Sequence, residues 1–108
     1  MDIETAARRL AELGNSTRLQ IVRLLVQAGP EGLAIGEFQS RLGVPASTLA
    51  FHLRGLVTRG LVHQQKEGRI VRCTPNYAAI NETLAFVKEN CCVGVSVDEP
   101  TARPSAVA

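Results

Sequence analysis

The stretch from residue 35 to residue 74 contains three structural signals in a fixed order, which restricts the fold more than any other feature of the chain. A short helical pattern, Ile35–Leu42, ends at Gly43, and a second one covers Pro45–Gly60. A predicted β-hairpin follows directly. Two short helices across a tight turn, with a hairpin behind them, are the order of a winged helix-turn-helix.

The second of these helices has two unlike faces. At about 100° per residue, four apolar side chains share the face predicted to cover the core: Leu49, Leu53, Leu56 and Val57. The opposite face holds Ser47, Phe51, Arg54 and Thr58, with Thr48 and His52 on its flank. A polar outer face is typical of a helix that enters a DNA groove. The Phe51 ring is predicted to contact a thymine methyl group there or to fold against the hairpin.

The hairpin carries a cluster of basic side chains. Its predicted strands are Leu61–Lys66 and Arg69–Thr74, with Glu67 and Gly68 as the two-residue turn. Pairing Lys66 with Arg69 would place Val62 opposite Cys73 on one face. Lys66, Arg69 and Arg72 would then lie near the tip, either as wing contacts to DNA or as a solvated charged surface.

Helical spacing predicts three more helices, so that the order becomes α-α-α-α-β-β-α. They are Ile3–Leu13, a helix capped by Asn15 or Ser16 that runs to Ala28, and Tyr77–Asn90. Residues 1–92 form one predicted domain, mainly α with a β-hairpin wing. Residues 93–108 contain two prolines and no helical period, and they are predicted to form a flexible tail.

Charge and composition exclude several classes of protein. A net charge of +2 is too small to indicate nucleic acid by itself, so that argument depends on where the basic residues lie. Neither a membrane-length apolar run nor a secretory signal is recognised, which predicts a cytoplasmic protein without a membrane partner. No nucleophile, base and orienting group occur in a plausible arrangement, so an enzyme is not expected.

Two of the three cysteines, Cys91 and Cys92, are adjacent. Adjacent cysteines make a strained disulfide and offer too few ligands for a zinc site, so they favour binding of a soft metal or metalloid. Two alternatives stay open. Cys91 can extend the apolar stripe of the last helix, with Cys92 incidental, or the pair can act as a redox switch.

Three runs of residues together resemble the ArsR/SmtB family of metal- and metalloid-responsive bacterial repressors. They are Leu13–Val26 (LGNSTRLQIVRLLV), Val44–Val62 (VPASTLAFHLRGLVTRGLV) and the wing segment Gln64–Arg72 (QQKEGRIVR). The resemblance covers nearly all of residues 5–92. It implies a homodimer joined through its first and last helices. This dimer would bind double-stranded operator DNA with an inverted repeat and dissociate from it when an inducer binds.

The resemblance also implies which inducer to expect. The thiol motif that the best-known arsenic repressors carry before the recognition helix is absent, because residues 32–38 read GLAIGEF. The last helix has no histidine, so it lacks the ligand spacing of zinc-sensing relatives. Residues 89–94 (ENCCVG) instead resemble a subgroup of arsenic repressors with adjacent cysteines at the end of the last helix.

Many members of that subgroup have a third cysteine a few residues later, but residues 95–98 here read VSVD. Inorganic trivalent arsenic prefers three thiolates, whereas a monomethylated form has only two valences to offer. Cys91 and Cys92 are therefore expected to bind methylarsenite in preference to arsenite. Cys73 is the weaker third candidate, because a predicted helix of about 14 residues, about 20 Å long, separates it from Cys91. Cys73 is expected to be a small inward-facing wing residue.

Seven residues are expected to contact DNA: Ser47, Thr48, Phe51, His52, Arg54, Lys66 and Arg69. The first two are placed to reach phosphates or base edges from the helix start, and Arg54 to reach a phosphate or a guanine. The two wing residues are expected to contact the backbone or the minor groove. His52 either helps to seat the helix or is a boundary histidine, and Arg18 is expected to pair with an acidic side chain such as Glu12 or Glu37.

Two rival functions use the same sequence features. The chain could be a redox-controlled or inducer-free regulator that binds the same kind of operator, which a titration of the thiols with arsenicals would separate from a sensor. It could also be a winged helix that binds protein and has lost DNA binding. In that case the basic side chains of the wing would not contact DNA, and a gel-shift assay with inverted-repeat DNA would be negative.

Overall fold

Across residues 1–95, which the computed structural model describes, the chain forms five α-helices and three β-strands. In chain order they are α1 (Ile3–Leu13), α2 (Ser16–Ala28), β1 (Leu33–Ala34), α3 (Ile35–Leu42), α4 (Ala46–Thr58), β2 (Val62–Glu67), β3 (Ile70–Pro75) and α5 (Tyr77–Lys88). The predicted winged helix-turn-helix and its helix order are confirmed, with β1 as an addition. In this part of the chain no helix is long and apolar enough to cross a membrane.

Side-chain caps define where three of the helices begin. Asp2 accepts a hydrogen bond from the Thr5 amide at 2.7 Å, Asn15 from the Arg18 amide at 3.1 Å, and Asn76 from the Ala79 amide at 3.2 Å. Each bond satisfies an amide that the first turn leaves unpaired, and replacing such a cap by alanine costs about 1 kcal/mol. The bond from Thr5 also lowers the pKa of the Asp2 carboxyl, because it stabilises the charged form.

One core lies between α2, α3, α4 and the sheet. Its largest fully buried side chains include Phe38, Ile21, Leu25, Leu49, Leu53, Leu56, Leu61 and Val62. The predicted inward face of α4 is confirmed, with Val57 partly buried at its border. Burying one leucine stabilises the fold by roughly 2 kcal/mol. The buried leucines of α4 therefore fix its rotation about its own axis and decide which side chains face outward.

The two-residue strand β1 precedes α3 and was not predicted. It pairs antiparallel with β3, so that Leu33 lies opposite Cys73, and the sheet order is β1-β3-β2. Gly32 permits this close approach, because its φ is +66° and a Cβ there would collide with the Cys73 carbonyl group. Between α2 and β1 lies a short 3-10 helix, Gly29–Glu31.

The turn of the hairpin lies one residue later than predicted. Gly68 and Arg69 form the turn instead of Glu67 and Gly68. Gly68 has a φ of +64°, while Arg69 is not among the residues with positive φ. A two-residue turn with glycine first matches type II′, whereas the predicted turn would have required a positive φ at Glu67 as well.

This shift changes every cross-strand pair of the wing. The predicted pairs Lys66–Arg69 and Val62–Cys73 are wrong, and the observed pairs are Lys66–Val71, Gln64–Cys73 and Val62–Pro75. Because the register moves by two residues, each side chain stays on its predicted face of the sheet. Cys73 therefore still faces the core, where it is fully buried.

Helix α5 ends at Lys88, two residues before the predicted end at Asn90. Asn90, two residues after the end of the helix, has a φ of 62°. This left-handed backbone conformation cannot continue a right-handed helix. The interpretation that Cys91 continues the apolar stripe of α5 is therefore wrong. Residues 93–95 have no regular structure, and the rest of the predicted tail, 96–108, lies outside the described residues.

Candidate nucleic-acid interface and cysteine pair

The outer face of α4, the recognition helix of the helix-turn-helix, is exposed along its length. Ser47, Thr48, Phe51 and Arg54 are exposed on the side opposite the buried leucines. Pro45 precedes the helix with an extended backbone, and its carbonyl accepts the first helical bond, from Leu49 at 3.0 Å. The amides before Leu49 have no partner within the helix, so this end can donate hydrogen bonds to an anion.

Arg18 on α2 links α4 to α1. Its Nε donates to the Glu12 carbonyl at 2.6 Å and pairs with the Glu12 carboxylate at 3.1 Å. Its Nη1 contacts His52 Nδ1 at 3.3 Å. Because a guanidinium can only donate, His52 Nδ1 is the acceptor and Nε2 carries the proton. The predicted pairing of Arg18 with Glu12 is confirmed, and half-buried His52 lies at the border between the core and the outer face.

Gly55 allows α1 to approach α4 closely. A Cβ at this position would collide with the Glu12 carboxylate, the same group that holds Arg18. Sequence reasoning missed this contact, although the signal was present. Glycine inside a helix costs roughly 0.5–1 kcal/mol relative to alanine, so a mid-helix glycine often marks close packing.

Phe51 is held by its neighbour on the same helix. Its ring packs edge-on against the His52 imidazole, with centroids 5.4 Å apart and planes at 68°. The side chain is nevertheless 62% exposed. The choice between a contact in the DNA groove and a contact with the wing therefore stays a prediction.

The three basic side chains of the wing are not equivalent. Arg72 Nε pairs with Glu67 at 3.1 Å, and its Nη1 donates to the Glu31 carbonyl at 3.3 Å. Lys66 and Arg69 are exposed, and among residues 1–95 neither forms an ion pair. Two cations at the wing tip are thus free to meet phosphates, while the third is already compensated.

The adjacent cysteines lie in the turn that follows α5. Cys91 and Cys92 are both exposed, and their Sγ atoms are in contact. The Cys91 amide donates to the Lys88 carbonyl at 3.1 Å, which connects the turn to the end of the helix. Two cysteine side chains therefore lie next to each other at the surface.

Cys73 is in the opposite situation. It is fully buried, burial raises the pKa of its thiol, and Gln64 Nε2 lies 3.7 Å from its Sγ. Within residues 1–95 no three histidine, cysteine or acidic side chains come together as a metal site. The structure therefore does not bring Cys73 to Cys91 and Cys92 within one chain.

Helices α1 and α5 pack against each other, and together they carry a set of exposed apolar side chains. Its members are Ile3 and Leu10 on α1 and Leu84 and Val87 on α5, which are 67%, 38%, 49% and 60% exposed. Ala6, Ala79 and Thr83 are buried nearby. We call the four exposed residues the α1–α5 face.

Comparisons with known proteins agree with this geometry. A family model described as a helix-turn-helix domain matches residues 13–65. The chain is 31% identical over 83 residues to ArsR2, the proposed arsenical resistance operon repressor of Halobacterium salinarum, over 75% of this chain and 69% of that protein.

Two solved structures share the architecture of the whole domain. An ArsR-like transcriptional regulator from Rhodococcus sp. RHA1 has a TM-score of 0.69 at 29% identity, over 79% of this chain and 77% of that chain. The homodimeric winged helix-turn-helix DNA-binding domain of Mb0332 from Mycobacterium bovis has a TM-score of 0.66 at 28% identity, over 80% and 77%.

Proposed function

Because this chain belongs to the ArsR family of winged-helix DNA-binding transcriptional regulators, we propose that it is a cytoplasmic repressor that a trivalent arsenical releases from its operator. Members of this family regulate transcription and are not enzymes, as the sequence predicted. The observation that carries the inducer proposal is the pair of exposed, adjacent cysteines, Cys91 and Cys92, in the turn that follows α5.

DNA binding in this proposal uses the exposed face of α4 and the wing tip. Ser47 and Thr48 contact phosphates or base edges at the start of the helix, and Arg54 contacts a phosphate or a guanine. His52 presents its Nε2–H group to the DNA, because Arg18 occupies the other ring nitrogen. Phe51 on the helix and Lys66 and Arg69 on the wing also contact the DNA in this proposal.

The repressor acts as a homodimer in this proposal. A second copy covers the α1–α5 face, which would otherwise leave four large apolar side chains in water. The Mycobacterium bovis relative is described as homodimeric, which supports this assignment. Two-fold symmetry then presents two recognition helices to an inverted repeat.

The thiol pair suits a methylated arsenical. Arsenic is a soft centre that thiolates bind well. Methylarsenite reacts with both thiols of the reduced protein so that two As–S bonds form, two As–OH bonds break and two waters leave, with no change of oxidation state. Inorganic arsenite would keep one valence without a sulfur, because among residues 1–95 no third ligand joins the pair. ArsR2 of Halobacterium salinarum bears an arsenical-resistance name, which supports an arsenic-type inducer.

The test measures release of DNA by each arsenical. An operator selected in vitro from random DNA is bound by the reduced protein and followed by fluorescence anisotropy during titration. We expect methylarsenite to release the DNA at lower concentration than arsenite, and Cys91→Ser or Cys92→Ser to remove the response. Cys73→Ala is the matched control and should respond like the wild type. Mass spectrometry should show one added methylarsenic group with two hydrogens lost.

Two results would count against the inducer. One is that neither arsenical releases the operator, and the other is that the two serine variants respond normally. The adjacency of Cys91 and Cys92 in the sequence also supports redox control as a second candidate. Release by an oxidant alone, reversed by a reductant, would favour that alternative.

A further inference from the structure

The junction between α4 and β2 is held by groups from both ends of the domain. Three consecutive carbonyls, those of Arg59, Gly60 and Leu61, each accept a hydrogen bond from outside the segment. Arg9 Nε on α1 donates to the first at 3.2 Å. Asn76, the residue before α5, donates to the second from its side chain at 2.8 Å and to the third from its amide at 2.9 Å. We call these three bonds the junction clamp.

Arg9 also connects the junction clamp to α5. Its Nη1 pairs with the Glu82 carboxylate at 3.1 Å and lies 3.4 Å from the Thr83 hydroxyl oxygen. The Arg9 side chain is only 17% exposed, and Thr83 is fully buried. A single guanidinium from α1 therefore contacts both α5 and the C-terminal end of α4, where a cation also suits the helix dipole.

We propose that Arg9 is a positioning residue that sets the orientation of the recognition helix and the wing relative to α1 and α5, with Asn76 as the second point of attachment. This inference rests on the proposed function, because α1 and α5 carry the face assigned to the second copy. If the junction is fixed to those helices, the distance and angle between two recognition helices are fixed as well. Arg9 thus determines which half-site spacing the dimer accepts.

The test compares two operators that differ only in half-site spacing. The first is selected in vitro with the wild-type protein, and the second has one extra base pair at its centre. That insertion moves one half-site by about 3.4 Å and rotates it by roughly 34°. The spacing penalty is the ratio of the two dissociation constants. Arg9→Gln removes the charge and the donor to Arg59, and we expect it to weaken binding to the selected operator roughly threefold to tenfold.

The decisive quantity is the spacing penalty itself. We expect Arg9→Gln to reduce the penalty at least about threefold, because a loosened junction lets the recognition helices adapt. A purely structural role would lower the fraction of folded protein, which weakens both operators equally and leaves the ratio unchanged. Arg8→Gln is the matched control, since Arg8 is exposed on α1 and forms no ion pair or side-chain hydrogen bond within residues 1–95.

Arg9→Lys provides a second variant if the glutamine variant does not fold. Lysine keeps the charge, but its single amino group cannot donate to the Arg59 carbonyl and to α5 as the guanidinium does. Arg9→Lys should therefore also reduce the spacing penalty. An unchanged penalty in the folded Arg9 variants would overturn the positioning role while leaving repression intact. If the wild-type protein selects no DNA, that result contradicts the proposed function and also overturns the positioning role of Arg9.

Discussion

Cys73 and the pair formed by Cys91 and Cys92 carry the same functional group in opposite surroundings. Cys73 is packed opposite Leu33 in the sheet, whereas the pair lies exposed in a turn. Burial disfavours the thiolate, which is why the pKa of Cys73 is raised. The exposed pair is accessible to soft electrophiles, whereas Cys73 is shielded and held in its protonated form.

We expect iodoacetamide at pH 8 to alkylate Cys91 and Cys92 of the reduced native protein at least about tenfold faster than Cys73. Burial limits access to Cys73, and its raised pKa leaves little thiolate at this pH. Mass spectrometry of peptides from timed samples gives each rate. In guanidinium the three rates should converge, and equal rates in the native protein would contradict the assignment.

The raised pKa of Cys73 also gives folding a pH dependence. Above the ordinary thiol pKa of 9.0, unfolded Cys73 loses its proton while folded Cys73 keeps it, so the folded state binds more protons. This contribution to stability is complete below pH 9 and is lost as the pH rises through the higher folded-state pKa. Denaturant unfolding at pH 8 and pH 10 should show a smaller loss of stability for Cys73→Ala than for the wild type.

At the scale of the element, periodicity decided what could be predicted from sequence. The faces of α4 followed from Leu49, Leu53 and Leu56, because three leucines at helical spacing allow only one rotation of the helix. The two residues of β1 are too few to show a period, so that strand was missed. The wing register failed because Gly68 can take its positive φ at either central position of the turn.

The corrected register places Arg69 at the tip of the wing, and we expect Arg69→Ala to weaken binding to all DNA sequences. Removing one phosphate contact should reduce the slope of log affinity against log salt by about 0.9. Arg72→Ala is the matched control, because its guanidinium already pairs with Glu67. Titrations at several salt concentrations give both slopes, and equal changes in the two variants would exclude the tip contact.

At the scale of the whole molecule, contacts distant in sequence were beyond prediction. Arg9 and the Arg59 carbonyl are 50 residues apart, and neither carries a pattern that points to the other. The outward-facing residues of α4 needed only the local helix, and so their positions were predicted from sequence. The contacts that attach α4 to the rest of the domain depend on how α1 and α5 pack. The spacing of apolar residues within one helix does not predict that packing.

The α1–α5 face gives a prediction at the same scale. Val87→Glu should convert the dimer to a monomer, because a second copy would bury a charge without a partner. The variant should still fold, since Val87 is 60% exposed in the single chain. Light scattering after size-exclusion chromatography measures the mass. Ile70→Glu, an equivalent change on the wing, should remain dimeric, and a dimeric Val87→Glu variant would argue against this interface.

The sheet order β1-β3-β2 leaves β2 as the outer strand of the wing in the described part of the chain. Such a strand offers unpaired backbone groups to any extended segment nearby, which is a common route to aggregation. Here β2 reads VHQQKE, and all of its residues except Val62 are exposed. Polar side chains and Lys66 make this strand a poor template for adding another one. The wing can therefore extend into solvent, which contact with DNA requires, without pairing with the strands of other molecules.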